Sequence, residues 1–371
     1  MIRRTFAAAA AMVASASIAT IGSPALADNT RDKQWHLQYL RIAEAHRIST
    51  GRGVTVAVID SGVSDHRDLS GSVLSGKDFT NARGSGRTDV DGHGTAMAGD
   101  IAAHGKDGSG ALGIAPESKI LPIRVLTTGR FSRGLGPAIS WAIAHGADVI
   151  NISLGGGATP DLFSALAAAE KANVVVVASA GNRPESHGIT SPAFVPSVLA
   201  VGAVDRDGKR APVSATGPAL DLMAPGTDIM STSTNNRYAT GTGTSDSAAI
   251  VSGAVALIRS KYPALSAREV VARLESTAAD KGAPGVDPEY GHGVIDIVAA
   301  LSTDAPTPTD EPSPSAPVDN TQQAGASTST NVTASPENQP ARSTALVVSC
   351  AAALAALGGL AAFVLVRRRR Q

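Results

Sequence analysis

The run VTVAVIDSG, residues 54–62, gives the clearest indication of the fold. Its first six residues are apolar or β-branched with no polar alternation, which is typical of a strand buried on both faces of a parallel sheet. The run ends in Asp60 and turns at Gly62. Four more runs share this character, at residues 120–125, 149–154, 174–178 and 198–204.

Stretches with helical spacing separate these runs. They cover residues 94–104, 135–145, 160–172 and about 245–261. In the third stretch, Asp161 near the start and Lys171 near the end match the helix dipole. Strand and helix therefore alternate, which predicts an α/β fold with a mainly parallel central sheet and right-handed crossovers.

The composition excludes several classes of protein. Hydrophobic residues make up 43% of the 371 residues and charged residues 17%, which indicates a globular domain. Lysine plus arginine (32) equals aspartate plus glutamate (32). The chain therefore has no positive net charge that would favour nucleic acid as a partner. Cys350 is the only cysteine, which removes internal disulfides and thiolate sites. No spacing of ligand residues indicates a metal, and we expect no cofactor.

Both ends of the chain carry segments outside this domain. Residues 1–27 have a basic start, an Ala-rich apolar stretch and a small-residue exit, which predicts a secretory signal peptide; an uncleaved anchor is the alternative. Residues 302–343 are rich in Pro, Ser and Thr and predict a disordered linker. Residues 344–366 predict one transmembrane helix, and the four arginines within residues 367–371 predict a cytoplasmic tail. The domain is then expected on the outer side of the cell membrane.

Three short motifs follow strands or begin helices, where such a fold carries its functional groups. Asp60 ends a strand, His93 stands between two glycines, and Ser245 follows a Gly-Thr pair at a helix start. Each has a plainer explanation when taken alone: a turn-capping aspartate, a structural histidine and an N-cap serine. A fourth residue, Asn182, lies beyond the end of the strand at 174–178, directly after Ala180 and Gly181.

Together, these motifs and their order resemble the subtilisin-like serine peptidases over nearly all of residues 33–301. The resemblance implies a three-layer fold and a catalytic triad of Asp60, His93 and Ser245. It also implies that Asn182 and the Ser245 N–H form the oxyanion hole. The substrate would bind as an added strand along two edges. These edges are Ser153, Leu154 and Gly155, and Ser179, Ala180 and Gly181.

The other histidines match no catalytic motif. His66 resembles a structural turn of the family. The rest are expected to be surface or packing residues: His36, His46, His104, His145, His187 and His292.

The arrangement is most similar to the mycosins, membrane-anchored subtilisin relatives associated with type VII secretion. The signal peptide, the segment 34–37, the linker and the terminal span carry this resemblance. Residues 28–52 are too few for an inhibitory prodomain and predict an N-terminal extension on a peptidase domain at 53–301. Two residues depart from the usual pattern after the serine: Ser247 stands for a common alanine and Ala249 for a proline.

The sequence thus predicts a serine endopeptidase that acts on exported proteins or peptides and is linked to a type VII secretion membrane complex. The alternative is a structural subunit that stabilises such a complex independently of catalysis.

Overall fold

The computed structural model describes residues 30–106, 108–127, 130–131 and 134–302. The predicted signal peptide, transmembrane helix and basic tail lie outside these residues, as does the predicted linker beyond residue 302. Within the described part, no helix combines the length and hydropathy needed to cross a membrane. Chain contacts divide the molecule into residues 1–311 and 312–371, and every described residue belongs to the first unit.

The strands of the described residues are numbered in chain order. They are β1 (Thr55–Asp60), β2 (Lys77–Asp78), β3 (His104–Lys106), β4 (Ser109–Leu112), β5 (Lys119–Arg124), β6 (Leu126–Thr127), β7 (Arg130–Phe131), β8 (Val149–Ile152), β9 (Val175–Ser179), β10 (Val198–Val204), β11 (Leu222–Pro225), β12 (Ile229–Ser233) and β13 (Arg237–Gly241).

The helices are numbered in the same way, with one 3₁₀ turn at Arg67–Leu69. They are α1 (Thr30–Lys33), α2 (Trp35–Tyr39), α3 (Ile42–Ala45), α4 (His93–Ala102), α5 (Leu135–Ala144), α6 (Pro160–Lys171), α7 (Thr244–Lys261), α8 (Ala267–Thr277) and α9 (Ile297–Leu301).

Within the described residues, the central sheet has seven strands in the order β11-β10-β9-β8-β1-β5-β2, and every neighbouring pair is parallel. This confirms the α/β class and the mainly parallel sheet. The five predicted strands became β1, β5, β8, β9 and β10. The two outermost strands, β2 and β11, were not predicted because they are short and lack a β-branched run.

Two predicted elements are shorter than expected. The predicted strand at 149–154 ends at Ile152, because Ser153 turns away to hydrogen-bond the chain at Ser245. The predicted helix at 94–104 ends at Ala102, because His104 enters the antiparallel β3–β4 pair opposite Leu112.

Helices cover both faces of the sheet, which gives three layers. Because strand side chains alternate between faces, Val56 and Val58 of β1 point into the core shared with α4 and α7. Ala57 and Ile59 point into the core shared with α5 and α6. β1 is therefore buried on both faces. Its last residue, Asp60, is held in place at the carboxyl end of the parallel strands.

The segment before β1 packs onto this domain. Ile42 and Ala45 of α3 belong to the core that contains α4 and α7. The Trp35 indole N–H donates to the Thr227 carbonyl at 2.9 Å, and the Gln34 amide donates to the carbonyls of Leu112 (3.0 Å) and Met230 (3.1 Å). The extension thus shares the hydrophobic core of the domain that follows it.

Candidate active site

Asp60 and His93 form the centre of the candidate site. Asp60 ends β1 and is fully buried, and His93 is the first residue of α4. The His93 Nδ1 lies 2.8 Å from Asp60 Oδ1 and 2.9 Å from Oδ2. An Nδ1–H donated to this carboxylate fixes the tautomer, so that Nε2 is the nitrogen available for proton transfer.

The glycine after His93 makes this contact possible. A Cβ on Gly94 would overlap the Gly62 carbonyl oxygen and lie 3.1 Å from the Asp60 Cβ. Gly62 has a φ of +108°, which other residues rarely adopt. The two glycines allow the start of α4 to approach the end of β1 closely enough for the imidazole to reach the carboxylate.

The surrounding charges favour the protonated form of His93. Asp60 raises the pKa of His93 to about 9, against the opposing effect of burial, and Asp246 and Asp91 add smaller contributions in the same direction. An imidazole beside a buried carboxylate is a strong base, and its cation is stabilised in place.

Ser245 lies in the first turn of α7. Its Oγ donates to the Ser153 carbonyl at 3.2 Å, and the Ser153 hydroxyl donates to the Ser245 carbonyl at 2.9 Å. The backbone N–H of Ser245 belongs to the first turn of a helix, where such groups have no acceptor within the helix. The hydroxyl and the N–H are therefore both presented at the positive end of α7.

Asn182 is fixed beside this helix start. Its Oδ1 accepts hydrogen bonds from the Thr244 N–H (2.9 Å) and the Thr244 hydroxyl (3.1 Å). A Cβ on Gly243 would lie 3.0 Å from the Asn182 Nδ2, so glycine leaves room for the amide. With the oxygen occupied, the Nδ2 hydrogens remain available to a substrate.

His93, Asn182 and Ser245 line one cleft of about 340 Å³. Its remaining walls come from α4, from the β12–β13 hairpin and from the turn before α7. Asp60 lies behind His93 and is shielded from solvent. The structure thus brings together a base, a hydroxyl and an amide donor that are far apart in the sequence, which is a set suited to acyl transfer.

The six predicted substrate-binding residues lie at or just after the ends of β8 and β9, two neighbouring strands of the sheet. Ser153 contacts Ser245 directly, and the Gly181 N–H donates to the Thr244 hydroxyl at 3.2 Å. Leu154 is half-buried and Gly155 is exposed after β8. Ser179 and Ala180 are buried at the end of β9. Their role in holding a peptide stays a prediction.

Among the described residues, no histidine other than His93 lines this cleft. His66 caps the 3₁₀ turn: its Nδ1 accepts from the Asp68 N–H at 3.1 Å, and its Nε2 lies 3.1 Å from the Arg237 carbonyl. His36 is fully buried, and burial lowers its pKa to about 3. His66 is thus structural and His36 is a packing residue, as expected.

Two acidic residues next to the site were not predicted from the sequence: Asp100 on α4 and Asp246 on α7. Both are buried, and Asp246 also lines the cleft. The available signal was an aspartate among mainly small and apolar residues in each of two helical stretches. Asp246 lies within the serine motif, directly after Ser245, but was assigned no role, and Asp100 lies just beyond the motif around His93. In the part of the chain that the structure describes, no group of three or more His, Cys, Asp or Glu residues could hold a metal ion.

Comparisons with known proteins agree on one family. Residues 51–293 match the Peptidase_S8 model of the subtilase family. Subtilisin DY from Bacillus licheniformis is 43% identical over 259 residues, which cover 67% of this chain and 91% of that protein.

Solved structures of mycosins are similar as well. MycP1 from Mycobacterium smegmatis is 31% identical with a TM-score of 0.67, over 73% of this chain and 85% of that one. A MycP1 serine protease described as an essential component of the type VII (ESX-1) secretion system is 34% identical with a TM-score of 0.68. That match covers 74% of this chain and 89% of MycP1.

Proposed function

Because the chain belongs to the subtilase family of serine endopeptidases, we propose that Ser245 is its nucleophile, His93 its general base and Asp60 the group that orients His93. The observation that carries this proposal is the hydrogen-bonded Asp60–His93 pair beside Ser245. Asn182 and the Ser245 N–H would then form the oxyanion hole.

The proposed reaction begins with one change in the hydrogen bonds of Ser245. Its Oγ releases the Ser153 carbonyl by rotation about χ1 and donates to the His93 Nε2 instead. His93 takes the hydroxyl proton as Oγ attacks the peptide carbonyl, and Asp60 stabilises the resulting imidazolium. His93 then returns the proton to the leaving amine. Water repeats the cycle on the acyl-enzyme and releases the second product.

The oxyanion formed in this step would lie at the start of α7. The Asn182 Nδ2 and the Ser245 N–H would donate to it there, and the helix dipole adds to their effect. Preorganised donors stabilise the charge that develops in the transition state more than they stabilise the substrate carbonyl.

The first test compares hydrolysis of an unstructured protein substrate by the wild-type chain and by Ser245→Ala. The wild type should cleave it and the variant should not, while both show the same thermal unfolding. Ser247→Ala is a matched control, because this serine is buried two residues further along α7 and its Oγ hydrogen-bonds the Ala224 and Pro225 carbonyls. A Ser245→Ala variant as active as the wild type would refute the assignment.

The proposed substrates are exported proteins, and the proposed location is the outer face of the cytoplasmic membrane. The signal-peptide-like residues 1–27 and the apolar residues 344–366 support this location. The similarity to MycP1, which is described as part of a type VII secretion system, supports a link to such a system. Protease added to intact cells should remove the domain and leave the C-terminal tail protected.

Secretion by cells that carry Ser245→Ala separates catalysis from a structural role. Loss of specific cleavage products with normal export would assign the secretion role to the folded domain. Loss of export itself would assign it to catalysis. Mass spectrometry of the exported proteins with and without Ser245 identifies the cleavage sites directly.

A further inference from the structure

Two carboxyl groups are buried together between α4 and α7. Asp100 has 0% of its surface exposed and Asp246 has 5%. The two helices pack against each other, and the carboxyl groups are within hydrogen-bonding reach. Two buried acids in contact cannot both be ionised without a large cost, unless a cation lies between them.

Burial and Asp246 oppose the ionisation of Asp100 more strongly than Ser231 and the charge of His93 favour it. Among the described residues, neither of its carboxyl oxygens has a hydrogen-bond donor. Ser231 of β12 lies next to it, but its hydroxyl donates to the Ala96 carbonyl at 2.8 Å. An ionised Asp100 would be an unpaired buried charge. A neutral carboxylic acid, in contrast, can donate its proton to Asp246.

Asp246 differs because it faces the active site. It follows Ser245 directly, lines the same cleft and interacts electrostatically with His93. On its other side is the backbone of β13, where a Cβ on Gly241 would lie 2.7 Å from the Asp246 Oδ1. The imidazole of His93 is the cationic group that faces this carboxylate among the described residues.

We infer that Asp100 and Asp246 share one proton, held on Asp100, and that Asp246 is a positioning residue whose negative charge stabilises the protonated form of His93. This inference rests on the proposed role of His93 as the general base. Asp246 would then be a second buried carboxylate that acts on His93, on a different element of the fold from Asp60.

The directions in which the two pKa values are shifted agree with a proton on Asp100 and a negative charge on Asp246. Burial raises the pKa of Asp100 well above its usual range, and the neighbouring Asp246 adds to the effect. Burial also raises the pKa of Asp246, to about 6, with His93 opposing the rise. These directions favour Asp100 as the carboxylic acid and Asp246 as the carboxylate of the pair.

The charged groups around His93 come from three elements. Asp60 is on β1, Asp246 on α7, and Asp91 lies in the loop before α4, where its Oδ1 accepts the His93 N–H at 3.0 Å. Asp91 is exposed, so solvent screens its charge. Asp91→Asn is therefore a matched control for a carboxylate that faces His93 without being buried.

The plot of kcat/KM against pH tests whether the charge of Asp246 acts on His93. Its acid limb reports the protonation of His93, because the base must be neutral to act. Asp246→Asn should move this limb to lower pH by about one unit, as expected when a nearby opposite charge is removed. Asp100→Asn should leave the limb in place, because the amide can still donate to an ionised Asp246. Asp91→Asn should shift the limb less than Asp246→Asn.

Two outcomes would overturn the inference. An unchanged limb in Asp246→Asn would show that its charge does not act on His93. Equal shifts in Asp100→Asn and Asp246→Asn would show that Asp100 is also ionised. If Asp246→Asn does not fold, Asp246→Ser removes the same charge with a smaller side chain, and the same shift is expected.

Infrared spectroscopy tests the shared proton without any measurement of activity. The full chain at pH 7, in a detergent without carbonyl groups, should show the carbonyl stretch of a protonated carboxylic acid. This band should be absent in Asp100→Asn, and its persistence there would place the proton elsewhere. A wild-type chain that shows the band but cleaves no substrate would contradict the proposed function and leave the proton assignment intact.

Discussion

Replacing Asp60 with asparagine removes the charge that most strongly stabilises the His93 cation, while it keeps the size of the side chain. The side-chain oxygen of the new asparagine can still accept the Ser61 N–H, which Asp60 Oδ1 accepts at 2.7 Å. The new amide nitrogen would instead donate to His93 Nδ1 and favour the tautomer with the hydrogen on Nε2. We expect kcat to fall by about 10⁴-fold, because Nε2 could no longer take the proton from Ser245.

The same change should alter how stability depends on pH. The pKa of His93 is raised from 6.5 to about 9 in the folded chain. At 1.36 kcal/mol per pKa unit, this shift corresponds to about 3 kcal/mol before screening. Because 35% of the His93 side chain is exposed, we reduce this to about 1–2 kcal/mol. Since the folded pKa is the higher one, this stabilisation is complete below pH 6.5 and is lost as the pH rises through 9.

Urea unfolding of the full chain in detergent at pH 6 and pH 10 measures this effect. The free energy of unfolding of the wild type should contain a term that decreases by about 1–2 kcal/mol between these pH values. Asp60→Asn should lose most of this pH-dependent part of the free energy of unfolding, and His93→Ala should lose all of it. The double variant should match His93→Ala. A full pH-dependent term in Asp60→Asn, or additive effects in the double variant, would refute the electrostatic coupling.

Three further changes test other parts of the site and fold. Asn182→Ala should lower kcat by about 10²–10³-fold with little change in KM, because it removes one oxyanion donor; an unchanged kcat in steady-state kinetics would contradict this role. Gly94→Ala should lose most activity and about 1–3 kcal/mol of stability, because the new methyl group overlaps the Gly62 carbonyl; wild-type kinetics and thermal unfolding would contradict the close packing. Ser266→Ala should cost about 1 kcal/mol in urea unfolding without changing kcat, because it removes the capping box with Glu269 at the start of α8.

The sequence predicted the parts of the fold that depend on local patterns. The run at 54–59 became β1 because a strand covered by helices on both faces needs apolar side chains on both sides. The β11 strand, Leu-Met-Ala-Pro, was missed because it is short and contains no β-branched residue. The capping box at Ser266 and Glu269 is a helix start from which α8 could have been predicted.

The positions of the candidate site residues were predicted better than the way they interact. The motif order indicated Asp60, His93 and Ser245, and the folded chain joins the first two across 33 residues. The contact between Ser245 and Ser153 could not be predicted, because it depends on how α7 sits against the end of β8. Asp100 and Asp246 are paired by the packing of α4 against α7, and the local sequences show the two aspartates but not this contact between helices.

Reaction with a fluorophosphonate tests most directly whether Ser245 is activated by His93. The probe forms a covalent bond only with a serine whose hydroxyl is made nucleophilic, and peptide mapping by mass spectrometry identifies the modified residue. We predict a single adduct on Ser245 in the wild-type chain, and none in a folded His93→Ala variant. An adduct on a different serine, or equal labelling of Ser245 without His93, would contradict the proposed mechanism.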